Sequence, residues 1–375
     1  MLTVEKIDTQ SKREVRRFVS LPFKLYRGNR QWVPPLNVDA EMQLNRKKHP
    51  FFEHSDGDFF IAVRDGQDVG RIAAFENKRF NEYHKTRQAQ FYFFECIEDQ
   101  DVARALFERV FEWARERRLA RIVGPKGLSA FDGYGMLIDG FERRQMMTMM
   151  NYNPPYYPRF MEALGFDKEV DFVSCHLDWS FKMPKAVHRI AERVRSRGTL
   201  RVLNFRNKKE LVAMGRQIGE AYNKSFVNNW EYYPLTSREV DFVVENLTLV
   251  ADPKLIKIIM HDDDIVGFVL AFADVSAALQ RAGGRLLPFG LFDLLLEMRR
   301  TPWVSLNGAG ILPEFQGLGG NALLYSEMEK SLRTYPHFHE AELTQVAETA
   351  VQMRRDLENV GGRAYKNHRV FGRDL

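Results

Sequence analysis

Residues 61–75, IAVRDGQDVGRIAAF, and residues 258–272, IIMHDDDIVGFVLAF, share Ile, Asp, Val, Gly, Ala and Phe at a constant offset of 197. Each segment reads as a β-hairpin, two apolar strands around a polar turn (Asp65-Gly66-Gln67-Asp68 and Asp262-Asp263-Asp264). The repetition extends beyond the hairpins. The first copy continues with a strand at 90–97, a helix at 102–118 and a strand at 120–123. The second continues with a strand at 304–312, a helix at 321–334 and a strand at 340–346. Both then reach a helix that closes on glycine, at Gly165 and at Gly361-Gly362, where glycine suits a helix C-cap. A chain patterned this way is expected to build one strand–helix unit twice, each an α/β layer of sheet and flanking helices.

One stretch of the second copy points to chemistry. Residues 304–332 read VSLNGAGILPEFQGLGGNALLYSEMEKSL. A strand-like run ends at Pro313, a glycine-rich loop comes next, and a helical pattern starts near Asn321. First-turn N–H groups of a helix are unpaired and the dipole favours an anion there. Glycines let the backbone bend into a nest around phosphate. The lysine and Ser/Thr of a P-loop are missing, and the spacing is not a dinucleotide fingerprint.

The loop resembles the acyl-CoA loop of the GNAT acyltransferase superfamily, Q/R-x-x-G-x-G/A. Gln316, Gly319 and Asn321 fill the marked positions, and Asn321 departs from the usual Gly or Ala. The helix ending PPYYPRFMEALGF is similar to the GNAT ending at Leu-Gly-Phe. The aromatic, proline-rich entry (Phe23, Tyr26, Trp32, Val33, Pro34, Pro35) and the later NPPYYP resemble a long, two-module bacterial subgroup. The resemblance implies two tandem GNAT-like modules, each a mixed, mostly antiparallel sheet flanked by helices. Boundaries are expected at 1–180 and 201–375, joined by a linker helix within 181–200. It also implies acetyl-CoA or a longer acyl-CoA as co-substrate. The thioester carrier would be held by the strand groups Asn307, Gly310, Ile311 and Leu312 and by Gln316, Gly317, Leu318, Gly319, Gly320 and Asn321.

The first copy has Glu98-Asp99-Gln100-Asp101 at the matching loop, with no glycine and three acids. Carboxylates beside a pyrophosphate repel it, so this module is expected to lack CoA binding and to wall the substrate cleft. An acidic helix start is also ordinary capping. Its insert 124–151 holds five glycines and a Met-rich run at 146–150, read as an irregular loop with adaptable apolar surface or core.

GNAT-type transfer implies an amine attacking a thioester, a base that takes the ammonium proton and an acid for the thiolate. Glu231, set among Trp230, Tyr232 and Tyr233, is the first candidate for the base, with Asp274 and His261 as alternatives. The helix at 349–359 lacks the acid tyrosine common in the family, so Tyr325 and Tyr365 are the candidate substitutes. No nucleophile dyad is read at Cys175-His176, because adjacent strand residues face opposite ways.

The insert 274–301 contains the apolar run 286–296, flanked by Arg285, Arg299 and Arg300 and broken by glycine and proline. It reads as a buried segment, an acyl-tunnel cap or a segment lying in a lipid interface. With 45% hydrophobic and 28% charged residues over 375, the chain reads as globular and cytoplasmic, with peripheral membrane contact through 286–296. A net charge of +5 suits a polyanionic ligand or an anionic membrane. No zinc spacing or nucleic-acid signature is present, so no metal and no nucleic acid are expected. The acceptor implied is a small-molecule or lipid amine, including a sphingoid-type base. The alternative is a non-catalytic GNAT-fold protein that binds acyl-CoA or a membrane.

Overall fold

A computed structural model describes every residue except 130, 147–149 and 181. The strands are β1 (Leu2–Lys6), β2 (Asp56–Arg64), β3 (Gln67–Glu76), β4 (Gln88–Cys96), β5 (Arg121–Gly124), β6 (Met136–Asp139), β7 (Asp167–Asp178), β8 (Arg201–Leu203), β9 (Ile256–His261), β10 (Asp264–Ala273), β11 (Trp303–Ile311), β12 (Glu340–Ala347) and β13 (Arg363–Asp374). They fall in two compact units. The first comprises residues 1–172, 276–294 and 366–375, and the second residues 173–275 and 295–365.

In the first unit, β1, β2, β3 and β4 pair antiparallel in that order, and β4 pairs β5 in parallel. The C-terminal part of β13 adds antiparallel to β5, and β6 pairs with it as well. Asp65 (φ 50°) and Gly66 (φ 77°) make the tight β2–β3 turn, where the left-handed region favours glycine. The helix Gln100–Glu116 covers one face. Its buried Val102, Leu106, Phe107, Val110 and Trp113 recur at helical spacing and meet Phe91 and Ile122 of the sheet. Trp113 buries its ring and donates Nε1–H to Asp58 at 2.9 Å.

The second unit repeats the plan: β8, β9, β10 and β11 antiparallel, then β12 parallel to β11. Asp262, the counterpart of Asp65 in the repeat, also has positive φ (52°). The helix Gly320–Leu332 packs Leu323, Leu324, Met328 and Leu332 into the core, as its pattern predicts.

The units differ from the contiguous boundaries expected. The helix Lys185–Arg197 lies in the second unit because its buried Ala191 and Val194 join that core, and His188 and Arg195 reach Ser326 and Glu327. Residues 276–294 belong to the first unit. Gln280 Nε2 donates to the carbonyls of Arg30 and Trp32 at 2.9 Å each, and Gly284 O accepts from Asn37 N at 2.8 Å. The insert 124–151 is not wholly irregular, since it contributes β6. Met146 and Met150 are buried, and the rest of the Met-rich run lies outside the described residues.

Gly310 on β11 faces the helix Gly215–Ser225. A Cβ there would sit 2.9 Å from Ser225 Cβ and 3.0 Å from the Phe268 ring. Gly310→Ala is therefore expected to cost about 1–3 kcal/mol through overpacking. A melting temperature equal to that of the parent would show that this helix and strand are not in fixed contact.

Candidate functional site

The site in the second unit begins with a break in pairing. β11 pairs β10 through Ala309–Val269 and resumes at Leu306–Ala271, so Asn307 and Gly308 bulge opposite Leu270. Gly308 takes φ 98°. On the other side, β11 pairs β12 only from Trp303–Glu340 to Leu306–Leu343. Beyond Leu306 the two parallel strands are no longer paired. The amide nitrogen Nδ2 of Asn307, a buried residue, has no partner among the described residues. A buried donor left unpaired costs of order 1–3 kcal/mol and suits a ligand acceptor.

The loop after β11 forms the expected nest. Gly317 (φ 76°) and Gly319 (φ 86°) turn the chain, and the helix starts at Gly320. Among the described residues, the amides of Gly317 to Asn321 find no backbone acceptor. Gly317 faces open space. Unpaired amides at a helix N-terminus are an arrangement that suits an anion. Not every residue of the sequence motif serves it. Gln316 donates its side-chain Nε2 to Ile311 O at 3.2 Å, which closes the loop on itself. Leu312 N is spent on Val266 O at 2.9 Å, and Ile311 is buried in the core. Leu318 is exposed. Gly319 is needed for fit as well as for its φ, because a Cβ would meet Val194 and Ile190 of the helix Lys185–Arg197 at 2.8 and 3.0 Å. Asn321, the departure from the family pattern, donates to Asp356 at 3.0 Å and ties the nest to the helix Val351–Asn359.

The structure places the three sequence-predicted catalytic residues apart in role. Tyr325 lies one turn after Asn321. Its hydroxyl contacts Met353 Sδ at 3.7 Å, and burial pushes its pKa up. It thus presents a phenol against the helix that lacks a tyrosine of its own. Tyr365 donates to Glu342 on β12, and its ring lies tilted beside His176, centroids 5.7 Å apart. Glu231 is half-buried with φ 49°, in the turn after the helix Gly215–Ser225. Of the alternatives, Asp274 is buried at the end of β10, and His261 packs on the Phe315 ring at 5.0 Å.

The first unit keeps the strand geometry and loses the nest. β4 bulges at Phe93 (φ 54°), between Glu95–Arg71 and Tyr92–Ala73. At the matching helix start, Asp99 accepts the amides of Asp101 and Val102 at 2.9 and 3.3 Å. Arg64 pairs with the same carboxylate at 2.5 Å. The amides at the helix start, unpaired in the second unit, are occupied here by a side-chain carboxylate.

A cavity of about 260 Å³ opens beside the bulged β4, and the sequence reading did not foresee it. Its walls carry Arg71 and Glu95, paired across β3 and β4, with Tyr92, Tyr157, Asp132 and Trp32. Glu95 Oε2 accepts from Tyr26 at 2.5 Å and Tyr157 at 3.1 Å. Burial nonetheless pushes its carboxyl up to about 7, against the opposing pull of Arg71 and the two phenols. The available signal was a lone Glu closing the apolar run FYFFEC and a lone Arg in VGRIAAF. No group of His, Cys, Asp or Glu side chains suited to a metal ion occurs among the described residues.

No family model matches the chain. It is 28% identical to the bacterial ceramide synthase of Caulobacter vibrioides, across 98% of this chain and 97% of that protein. It is 26% identical to the protein YghO of Escherichia coli, across 97% and 94%. A tandem GNAT protein from the clavulanic acid biosynthesis pathway superposes with a TM-score of 0.57 at 13% identity, covering 100% of this chain and 98% of that one. A GCN5-related N-acetyltransferase from Sphaerobacter thermophilus gives 0.53 at 12% identity, covering 100% and 95%.

The raised carboxyl of Glu95 links stability to pH. The neutral form is favoured in the folded state, so this contribution is full below the ordinary carboxylate range and is lost as pH rises through about 7. A shift of this size corresponds to about 3 kcal/mol. Glu95→Gln is expected to gain melting temperature over the parent at pH 8 relative to their difference at pH 5. An equal difference at both pH values would refute the assignment.

Proposed function

For a chain with the tandem GNAT fold, we propose N-acyl transfer from acyl-CoA to a primary amine, with the thioester carrier bound in the second unit. The observation that carries this reading is the run of unpaired amides from Gly317 to Asn321, set directly after a bulged and splayed strand. The residues present fit the cosubstrate. The diphosphate would lie on the nest, and the unpaired strand edge would pair with the pantetheine amides, Asn307 Nδ2 donating to a carbonyl oxygen. The amine nitrogen attacks the thioester carbon, the C–N bond forms, and the C–S bond breaks. The ammonium proton passes to a base, and the departing thiolate takes up a proton. Glu231 is the candidate base in this unit, and Tyr325 and Tyr365 are the candidate acids.

A lipid amine is the acceptor class we favour. The relative from Caulobacter vibrioides bears the name bacterial ceramide synthase, which brings a long-chain, sphingoid-type amine forward. The run 286–296 adds a physical reason. Leu287, Phe289 and Phe292 are 78, 79 and 71% exposed, and Leu291, Leu295 and Leu296 are exposed beside them. Arg285 and Arg299, also exposed, make no ion pair among the described residues. Apolar rings and free guanidinium groups together suit an anionic lipid surface. No helix among the described residues is long and apolar enough to cross a membrane.

Two measurements test these assignments. Gly317→Val adds a side chain where space is open but φ is strained for it. It is expected to weaken acyl-CoA binding, measured by calorimetry, about tenfold or more while the chain stays folded, and unchanged affinity would remove the nest from the mechanism. Phe289→Asp with Phe292→Asp is expected to abolish flotation with phosphatidylglycerol vesicles, and retained flotation would exclude this segment as the lipid contact.

A further inference from the structure

We infer that the cavity of the first unit binds the head of an organic primary ammonium carrying a neighbouring hydroxyl, with the cation on Glu95 and the hydroxyl beside Arg71. The inference deepens the acceptor class of the proposed N-acyl transfer and rests on that reading.

Most polar groups around the cavity are already satisfied. Asp132 accepts from Ser129 N, Ser129 Oγ and Gln43 Nε2 at 2.8, 3.2 and 2.9 Å. Gln145 accepts from Val33 N at 2.9 Å and donates to Met150 O at 2.6 Å. Asn151 donates to Gly135 O at 2.7 Å. Glu95 Oε1 and Arg71 Nε differ. Among the described residues Glu95 Oε1 takes no hydrogen bond, and the nearest guanidinium nitrogen of Arg71 is 4.0 Å away. Arg71 Nε is buried without an acceptor, although Nη1 donates to Phe18 O at 3.0 Å. Arg71 is only 6% exposed, so water does not satisfy it freely. A vacant acceptor and a vacant donor on facing strands match a head group that offers N–H donors and one oxygen acceptor.

Charge sets the sign of the ligand. The wall carries Glu95, Asp132 and Asp39 against the Arg71 guanidinium, so a second anion is disfavoured and a cation is not. Val19, Leu44, Trp32 and Leu279 leave an apolar path for a hydrocarbon tail. The groups facing Glu95 from the packed elements are Tyr26, Tyr157, Tyr156, Tyr92, Cys96 and Arg71. Burial raises the phenols and the thiol, and Arg71 stays protonated, so Glu95 is the group among them that changes charge near neutrality.

The test uses the full chain without CoA and 2-amino-1-octanol as probe, with octane-1,2-diol as the nitrogen-free control. Binding is read by calorimetry and by the fluorescence of Trp32 in the wall. The amine should bind, the diol should not, and affinity should rise about tenfold from pH 6 to pH 8 as the Glu95 carboxylate forms. Glu95→Gln should lose most of the affinity and all of the pH dependence, while Glu95→Asp should recover the pH dependence. Equal binding of amine and diol, or an unchanged Glu95→Gln, would overturn the assignment. Acyl-CoA affinity of the same variants, measured without amine, reports the nest separately, so failure of one site is distinguishable from failure of the other.

Discussion

Both units depend on a ladder that is deliberately incomplete. A parallel strand pair must be closed over its length or present unpaired amides and carbonyls to whatever enters the gap. β11 leaves β12 after Leu306, and the bulge at Asn307–Gly308 breaks the register with β10 at the same point. β4 does the same at Phe93, with β5 paired to it only from Gln88 to Gln90. The rest of each fold holds this opening. Helices with tightly packed faces cover the sheet, and the hairpins fix the outer strands.

The two openings have been given opposite electrostatics. In the second unit, glycines leave a row of amides for an external anion. In the first, Asp99 fills the equivalent position and Arg64 neutralises it. The first unit instead buries an acid and a base, Glu95 and Arg71, opposite each other on neighbouring strands. One scaffold thus carries unpaired amides in one copy and a buried acid–guanidinium pair in the other. Under the two proposals, the second unit holds the thioester carrier and the first binds an amine head group.

Much of the fold was legible because its determinants are local. The hairpin turns announce themselves through Asp65-Gly66 and Asp262-Asp263, and the nest through Gly317, Gly319 and Gly320. Each is a short-range demand on φ or on side-chain size. The cavity was illegible for the opposite reason. Glu95 and Arg71 are separated by a turn and a helix, and only the antiparallel register brings them face to face. The membership of residues 276–294 in the first unit was equally hidden, because it rests on Gln280 meeting carbonyls near the other end of the chain. The positions of Gln316, Ile311 and Leu312 show the limit of carrying a motif over as a whole: their polar groups close the loop and the sheet rather than facing a ligand.

The contact beneath Gly319 has a dynamic consequence. Ile190 and Val194 rest where a side chain would otherwise stand, so the loop keeps its shape only while the helix Lys185–Arg197 stays seated. Fraying of that helix and loosening of the glycine turn are therefore one opening event, with one free energy. Amide deuterium uptake in the two segments should rise and fall together, and a ligand that clamps the turn should slow exchange along the helix as well.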